Sequence, residues 1–139
     1  MILVDTNVLS ELMRPMPAER VVRWVASQSA ADLHTSSITQ AEVLHGIMLM
    51  PAGKRRTAFE TAARTMFSED FEGRIHAFDS GAAHWYARIA AERQQAGRPI
   101  SQFDAQIAAI ARSAGARIAT RNVADYEGCG VRLINPWNA

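Results

Sequence analysis

The chain has 139 residues, 48% of them hydrophobic and 21% charged, with a formal net charge of +1. That is the balance of one ordinary globular domain, long enough to bury about two-thirds of its unfolded surface. No apolar run reaches the ~18 residues that cross a bilayer, no basic segment precedes the first apolar stretch as in a secretory signal, and the single cysteine, Cys129, excludes an intrachain disulfide and fits a reducing cytosol. We therefore expect a single cytoplasmic domain over residues 1–139, read as Cys129 in a loop without chemistry and no contact with a membrane.

Taken in chain order, ILV at 2–4 is an apolar run of the kind found in a strand buried on both faces, as in a parallel sheet. Residues 7–13 predict a helix, broken around Arg14-Pro15-Met16-Pro17, and a second helix runs from Ala18 to Gln28 on Val21, Val22, Trp24 and Val25. LHTSSI (33–38) predicts the second strand, and Thr39 to Met50 a helix stopped by Pro51. Another helix follows from Gly53 to Phe67, with Lys54, Arg55 and Arg56 in its first turn as a solvated face. RIHAF (74–78) is the third strand, Ser80 to Ala96 a long helix ended by Gly97, and Ser101 to Ala114 a helix closed by Gly115. ARIAT (116–120) and VRLI (131–134) complete the strands. Strands alternating with helices imply a three-layer α/β/α sandwich around a mainly parallel sheet.

Ligands of such sheets bind beyond the carboxyl ends of the strands, where strand order reverses. Asp5 falls directly after the first strand, Glu42 in the helix after the second, Asp104 in the first turn of the 101–114 helix, and Asp125 five residues past the fourth strand. Each has an ordinary structural explanation. Thr39-Gln40-Ala41-Glu42 reads as a capping box, Ser101-Gln102-Phe103-Asp104 as a near-capping box, and Asp125 as a turn acid. Asp5 is harder to dismiss, because Thr6 or Asn7 would cap the next helix equally well. Helical spacing also puts Ala108 and Ala111 below Asp104, and Gly46 and Leu49 below Glu42, faces expected to be packed.

Two unit charges 4 Å apart cost about 4 kcal/mol at an effective dielectric of 20, so converging carboxylates require protons or cations. No lysine lies near these motifs and Arg121 is the one nearby cation, so a divalent metal is the economical answer. All-oxygen ligands suit Mg2+ or Mn2+ rather than zinc, and His34, His45, His76 and His84 show no zinc spacing. We expect Asp5 and Asp104 to hold the metal, Glu42 and Asp125 to complete the catalytic acids, and Thr6, Asn7, Thr120 and Asn122 to orient them. Arg121 is the candidate phosphate contact. A metal so held serves phosphodiester cleavage, with the substrate left open. A dehalogenase-type phosphatase would want an acid where Asn7 stands, and a receiver domain a lysine where Arg121 stands.

MILVDTN, SSITQAEVLHGI, FDAQIAAIARSAGARIATRNVADYEG and VRLINPW, in this order and spacing, resemble the PIN-domain family essentially from end to end, and within it the VapC-type toxins with FitB-like members. The resemblance implies a three-layer fold and a Mg2+- or Mn2+-dependent endoribonuclease cutting single-stranded or loop RNA. It also implies a homodimer and a cognate antitoxin that carries the DNA-binding domain. Asp5, Glu42 and Asp104 match the family's core acids, Asn122 stands where some members have an acid, and Asp125 is expected to complete the site. The alternative it leaves is the protein half of a DNA-binding regulatory complex with a ribbon-helix-helix partner, in which nuclease activity is secondary.

Overall fold

A computed structural model describes residues 1–139. Five short strands, β1 (Ile2–Val4), β2 (Leu33–Ser36), β3 (Ile75–His76), β4 (Arg117–Ala119) and β5 (Leu133–Ile134), form one sheet. Seven α-helices connect them: α1 (Thr6–Leu12), α2 (Glu19–Ser27), α3 (Ser37–Met48), α4 (Lys54–Thr65), α5 (Ser80–Gln95), α6 (Gln102–Ala114) and α7 (Val123–Tyr126). Every strand pairing is parallel, and the order is β3-β2-β1-β4-β5. The expected fold class is therefore the observed one.

β1 lies at the centre because its side chains are apolar on both faces. Ile2 and Val4 enter one core with Val8, Leu9, Trp24 and Ile47, from the α1–α4 side. Leu3 points the other way, into a core built with Ile89, Ile107, Ile118 and the alanines of α6. The chain winds outward from β1 through β2 to β3, then returns to the opposite side of β1 for β4 and β5. The order thus reverses between β1 and β4, which are in register at Val4 and Ala119, and Asp5 N–H donates to Ala119 O across that seam at 2.9 Å.

The sequence misplaces some boundaries. β2 stops at Ser36 because the Ser36 hydroxyl accepts from Thr39 N–H and caps α3, which begins at Ser37. Thr39 is therefore inside the helix, and the expected Thr39–Glu42 capping box does not form. β3 shrinks to two residues because it pairs only with β2, at Thr35–Ile75 and Ser36–His76. The helix expected through Phe67 passes after Thr65 into a wider π-type turn, Met66–Asp70, in which Phe71 N–H reaches Met66 O. Gly115, at φ 67°, closes α6 as expected: its N–H bonds to Arg112 O, and Ala116 N–H to Ala111 O. Cys129 lies in a loop, fully buried.

Candidate active site

The strand end and the helix start at residue 5 are one feature. Asp5 takes extended dihedrals, is 5% exposed, and caps α1 by accepting from Thr6 N–H at 2.8 Å. The cap occupies only Oδ1. Oδ2 accepts from the Thr120 hydroxyl at 2.9 Å, from the Tyr126 hydroxyl at 3.1 Å and from the Asn7 amide at 3.4 Å. Burial pushes the Asp5 carboxyl up from 3.8 to about 6, and the charge of Asp104 adds to the rise. The donors Thr6, Thr120 and Tyr126 act against it.

Asp104 stands in the first turn of α6, whose N-cap Ser101 accepts from Asp104 N–H at 3.2 Å. Its Oδ1 lies 3.3 Å from the same Tyr126 hydroxyl, so one phenol spans the two acids. Ala108 and Ala111 beneath it are fully buried, as the spacing implies. Glu42 joins from α3 through Thr6, whose hydroxyl donates to Oε1 at 2.8 Å and stands 3.2 Å from the Thr39 hydroxyl. The expectation of a packed face below Glu42 fails, because Gly46 and Leu49 are exposed, Leu49 to 72%.

Polar residues tie these acids to the sheet. Thr120 is fully buried, and its hydroxyl accepts from Asn122 N–H at 3.1 Å. Asn7 holds Thr120 at 3.3 Å with its amide nitrogen, while its amide oxygen accepts from Arg121 N–H at 3.0 Å. The Arg121 guanidinium leaves this network and lies 5.0 Å over the Trp137 ring at the exposed rim.

Asp5, Glu42 and Asp104 are thus linked by Thr6 and Tyr126, and none of them is ion-paired. Asp125 is not linked to them. It is exposed on α7, and its backbone rather than its carboxylate is used: Asp125 O accepts from Arg93 at 3.0 Å. No three acids, histidines or cysteines approach closely enough to form a complete ligand set, so the four-acid cluster expected from the strand ends is reduced to an open one. The Asn122 side chain makes no bond to the acids; its backbone caps α7 and donates to Thr120. The donor set that remains is all oxygen, holds more negative charge than the protein neutralises, and includes a buried carboxyl. Those properties fit a hard divalent cation and do not fit zinc.

Tyr126 is what the sequence reading missed. It is the last residue of TRNVADY, fully buried, and its hydroxyl is pushed well above its usual titration range by burial and by the charges of Asp5 and Asp104. The signal was present: a buried phenol must find a polar partner, and the partners available past the fourth strand are these acids. Arg93 was missed too, a buried guanidinium on α5 that bonds carbonyl oxygens instead of an acid.

A parallel sheet that reverses its order at β1, with carboxylates gathered past that reversal, defines a class of small α/β proteins with an acidic site. The chain belongs to the PIN-domain family, whose sequence profile matches residues 2–124. Over nearly its full length it is similar to one relative named as a ribonuclease and one named as a toxin. It is 39% identical to the VapC ribonuclease Y4jK of Sinorhizobium fredii, covering 99% of this chain and 98% of that one. It is 38% identical to toxin FitB of Neisseria gonorrhoeae, covering 99% of each. Among solved structures, that of FitAB bound to an IR36 DNA fragment superposes with a TM-score of 0.92 at 38% identity, over 99% of this chain and 96% of that one. No helix is long and apolar enough to cross a membrane.

Proposed function

We propose that this chain is the toxin of a type II toxin–antitoxin pair and acts in the cytoplasm as an endoribonuclease dependent on Mg2+ or Mn2+. The observation that carries the reading is the linked set Asp5, Asp104 and Glu42 at the sheet's reversal point, without a cationic side chain to neutralise it. Full-length similarity to a VapC ribonuclease supports it.

Asp5 and Asp104 would hold the cation, with Glu42 beside them. When bound, the cation lowers the pKa of a coordinated water and stabilises negative charge on the phosphoryl group. The protein's part is positioning. Thr120 and Tyr126 fix the Asp5 carboxylate on a rigid strand end, Thr6 aims Glu42, and Asn7 braces Thr120. A hard cation held by so few side chains would keep water among its ligands and leave room for substrate oxygen. Arg121, exposed beside Asn7, would contact a flanking RNA phosphate in this reading. Asp125 takes no direct part in this scheme.

The partners in this reading are a cognate antitoxin, with DNA reached only through it, which the likeness to FitAB on DNA supports, and a second copy of the chain as a homodimer. A second reading is favoured by one finding, the likeness to FitAB on DNA. In it the chain is the protein half of a DNA-binding regulatory complex with a ribbon-helix-helix partner, and cleavage is secondary.

Cleavage of a mixed RNA pool by antitoxin-free protein tests the first reading, with Mg2+, Mn2+ or EDTA and an Asp104→Asn control. Metal-dependent cutting that disappears in the control is the expected result. Equal inactivity of two folded, metal-loaded proteins favours the regulatory reading.

A further inference from the structure

Arg93 and Tyr126 form a unit whose reach extends past Asp5 to a second acid, Asp104. Arg93 is buried on α5 and has no acid partner. Its Nε donates to Arg98 O at 2.7 Å, and its Nη1 to Asp125 O and Glu127 O at 3.0 Å each. Those last two carbonyls flank Tyr126. A buried guanidinium is costly unless its donors are used, and here Nε is spent on the loop after α5 and Nη1 on the carbonyls of the turn that carries Tyr126, with Cys129 Sγ 3.5 Å away. The turn is therefore held against α5 with Tyr126 directed inward.

What Tyr126 meets there is unusual for a core tyrosine. Its single hydroxyl stands 3.1 Å from Asp5 Oδ2 and 3.3 Å from Asp104 Oδ1, two carboxylates that approach from different elements and repel one another. A phenylalanine would fill the same volume with no such contact. The phenol bonds Oδ2 of Asp5 and Oδ1 of Asp104, and Oδ2 of Asp104 accepts no protein hydrogen bond.

We infer that Tyr126, held in place by Arg93, is a positioning residue for the cation: its hydroxyl sets the separation and orientation of Asp5 and Asp104 so that the two carboxylates present a preformed seat. This rests on the metal-dependent reading above and assigns a role to a residue outside the acid set. Groups that orient metal ligands through such bonds change affinity by about ten- to a hundredfold when removed.

Calorimetric titration of Mn2+ into antitoxin-free wild-type and Tyr126→Phe protein tests it, with no RNA present. The expected dissociation constant of the variant is at least about tenfold weaker, while its metal-free form still unfolds in one cooperative transition. A variant that folds and binds Mn2+ as tightly as wild type, or more tightly, overturns the inference and leaves the metal-dependent reading intact. Absence of Mn2+ binding by the wild type overturns both.

Should the variant fail to fold, the wild type supplies the same test. The chain has two tyrosines, Tyr86 and Tyr126. Fluorine NMR of protein labelled with 3-fluorotyrosine gives one signal for each, assigned with a Tyr86→Phe variant. Saturating Mg2+ should move the Tyr126 signal and leave that of Tyr86 in place. A Tyr126 signal unmoved while Mg2+ binds contradicts the role.

Discussion

The two sides of the sheet are packed differently. On the α5–α6 side, Ala105, Ala108, Ala109 and Ala111 are buried to 1% exposure or less, which lets α6 approach the sheet and α5 closely. On the α1–α4 side the residues are larger and leave a groove of about 1420 Å³, lined by Leu12, Met13, Val25, Ala58 and Met66 among others. The acids divide accordingly. Asp104 and Tyr126 belong to the tight side, Glu42 to the looser one, and Asp5 to the seam between them. Carboxylates that must stay close despite their charge are held where packing leaves the fewest alternatives.

Substitutions can break or sharpen this contrast. The largest effect is expected at the site: Asp104→Asn should lower RNA cleavage by about a hundred- to a thousandfold, with unfolding little changed, as single-turnover rates will show. Next is the tight core. Ile118→Ala, at a fully buried position between sheet and α6, should cost about 2–5 kcal/mol in a denaturant titration.

The third effect is a pH dependence at the seam. Burial raises the Asp5 carboxyl from 3.8 to about 6, so the folded metal-free protein binds this proton more tightly than the unfolded chain. Its contribution to stability is full below about 4 and is lost as the pH rises through about 6. Denaturation of wild type and Asp5→Asn across this window should show a difference that grows with pH in favour of the variant, and saturating Mg2+ should reduce it.

A smaller effect is predicted for adding volume. Ala109→Leu, on the tight side, should cost about 1–3 kcal/mol by overpacking. Smallest is Met16→Gln on the α1–α2 connection, where the side chain is 88% exposed. It should stay within about 0.5 kcal/mol of wild type. Equal costs for these last two substitutions would contradict the close packing of α6.

The sheet and most helices were legible because they are written locally. The ILV run of β1, Pro51 after α3, and Gly97 and Gly115 after α5 and α6 specify strands and helix ends without reference to the rest of the chain. Asp5 and Asp104 were legible for a related reason, since the reversal rule turns strand ends into coordinates. The α3 boundary was not, because Ser36 and Thr39 are both good caps and only the β2 pairing decides between them. Nor was the choice of Tyr126 over its neighbour Asp125. Adjacent residues of a one-turn helix face different ways, and Arg93, distant in sequence, fixes which of the two turns inward. The expectation of a packed face beneath Glu42 failed because one side of α3 is open to solvent.

The central claim is that Asp5 and Asp104 together seat a divalent cation. Anomalous diffraction from crystals of antitoxin-free protein soaked in Mn2+ tests it most directly. The account predicts a peak about 2.0–2.3 Å from one carboxylate oxygen of each acid, with waters completing the shell. A saturated crystal with no peak there, or with the ion held by Asp125 instead of Asp104, would contradict it.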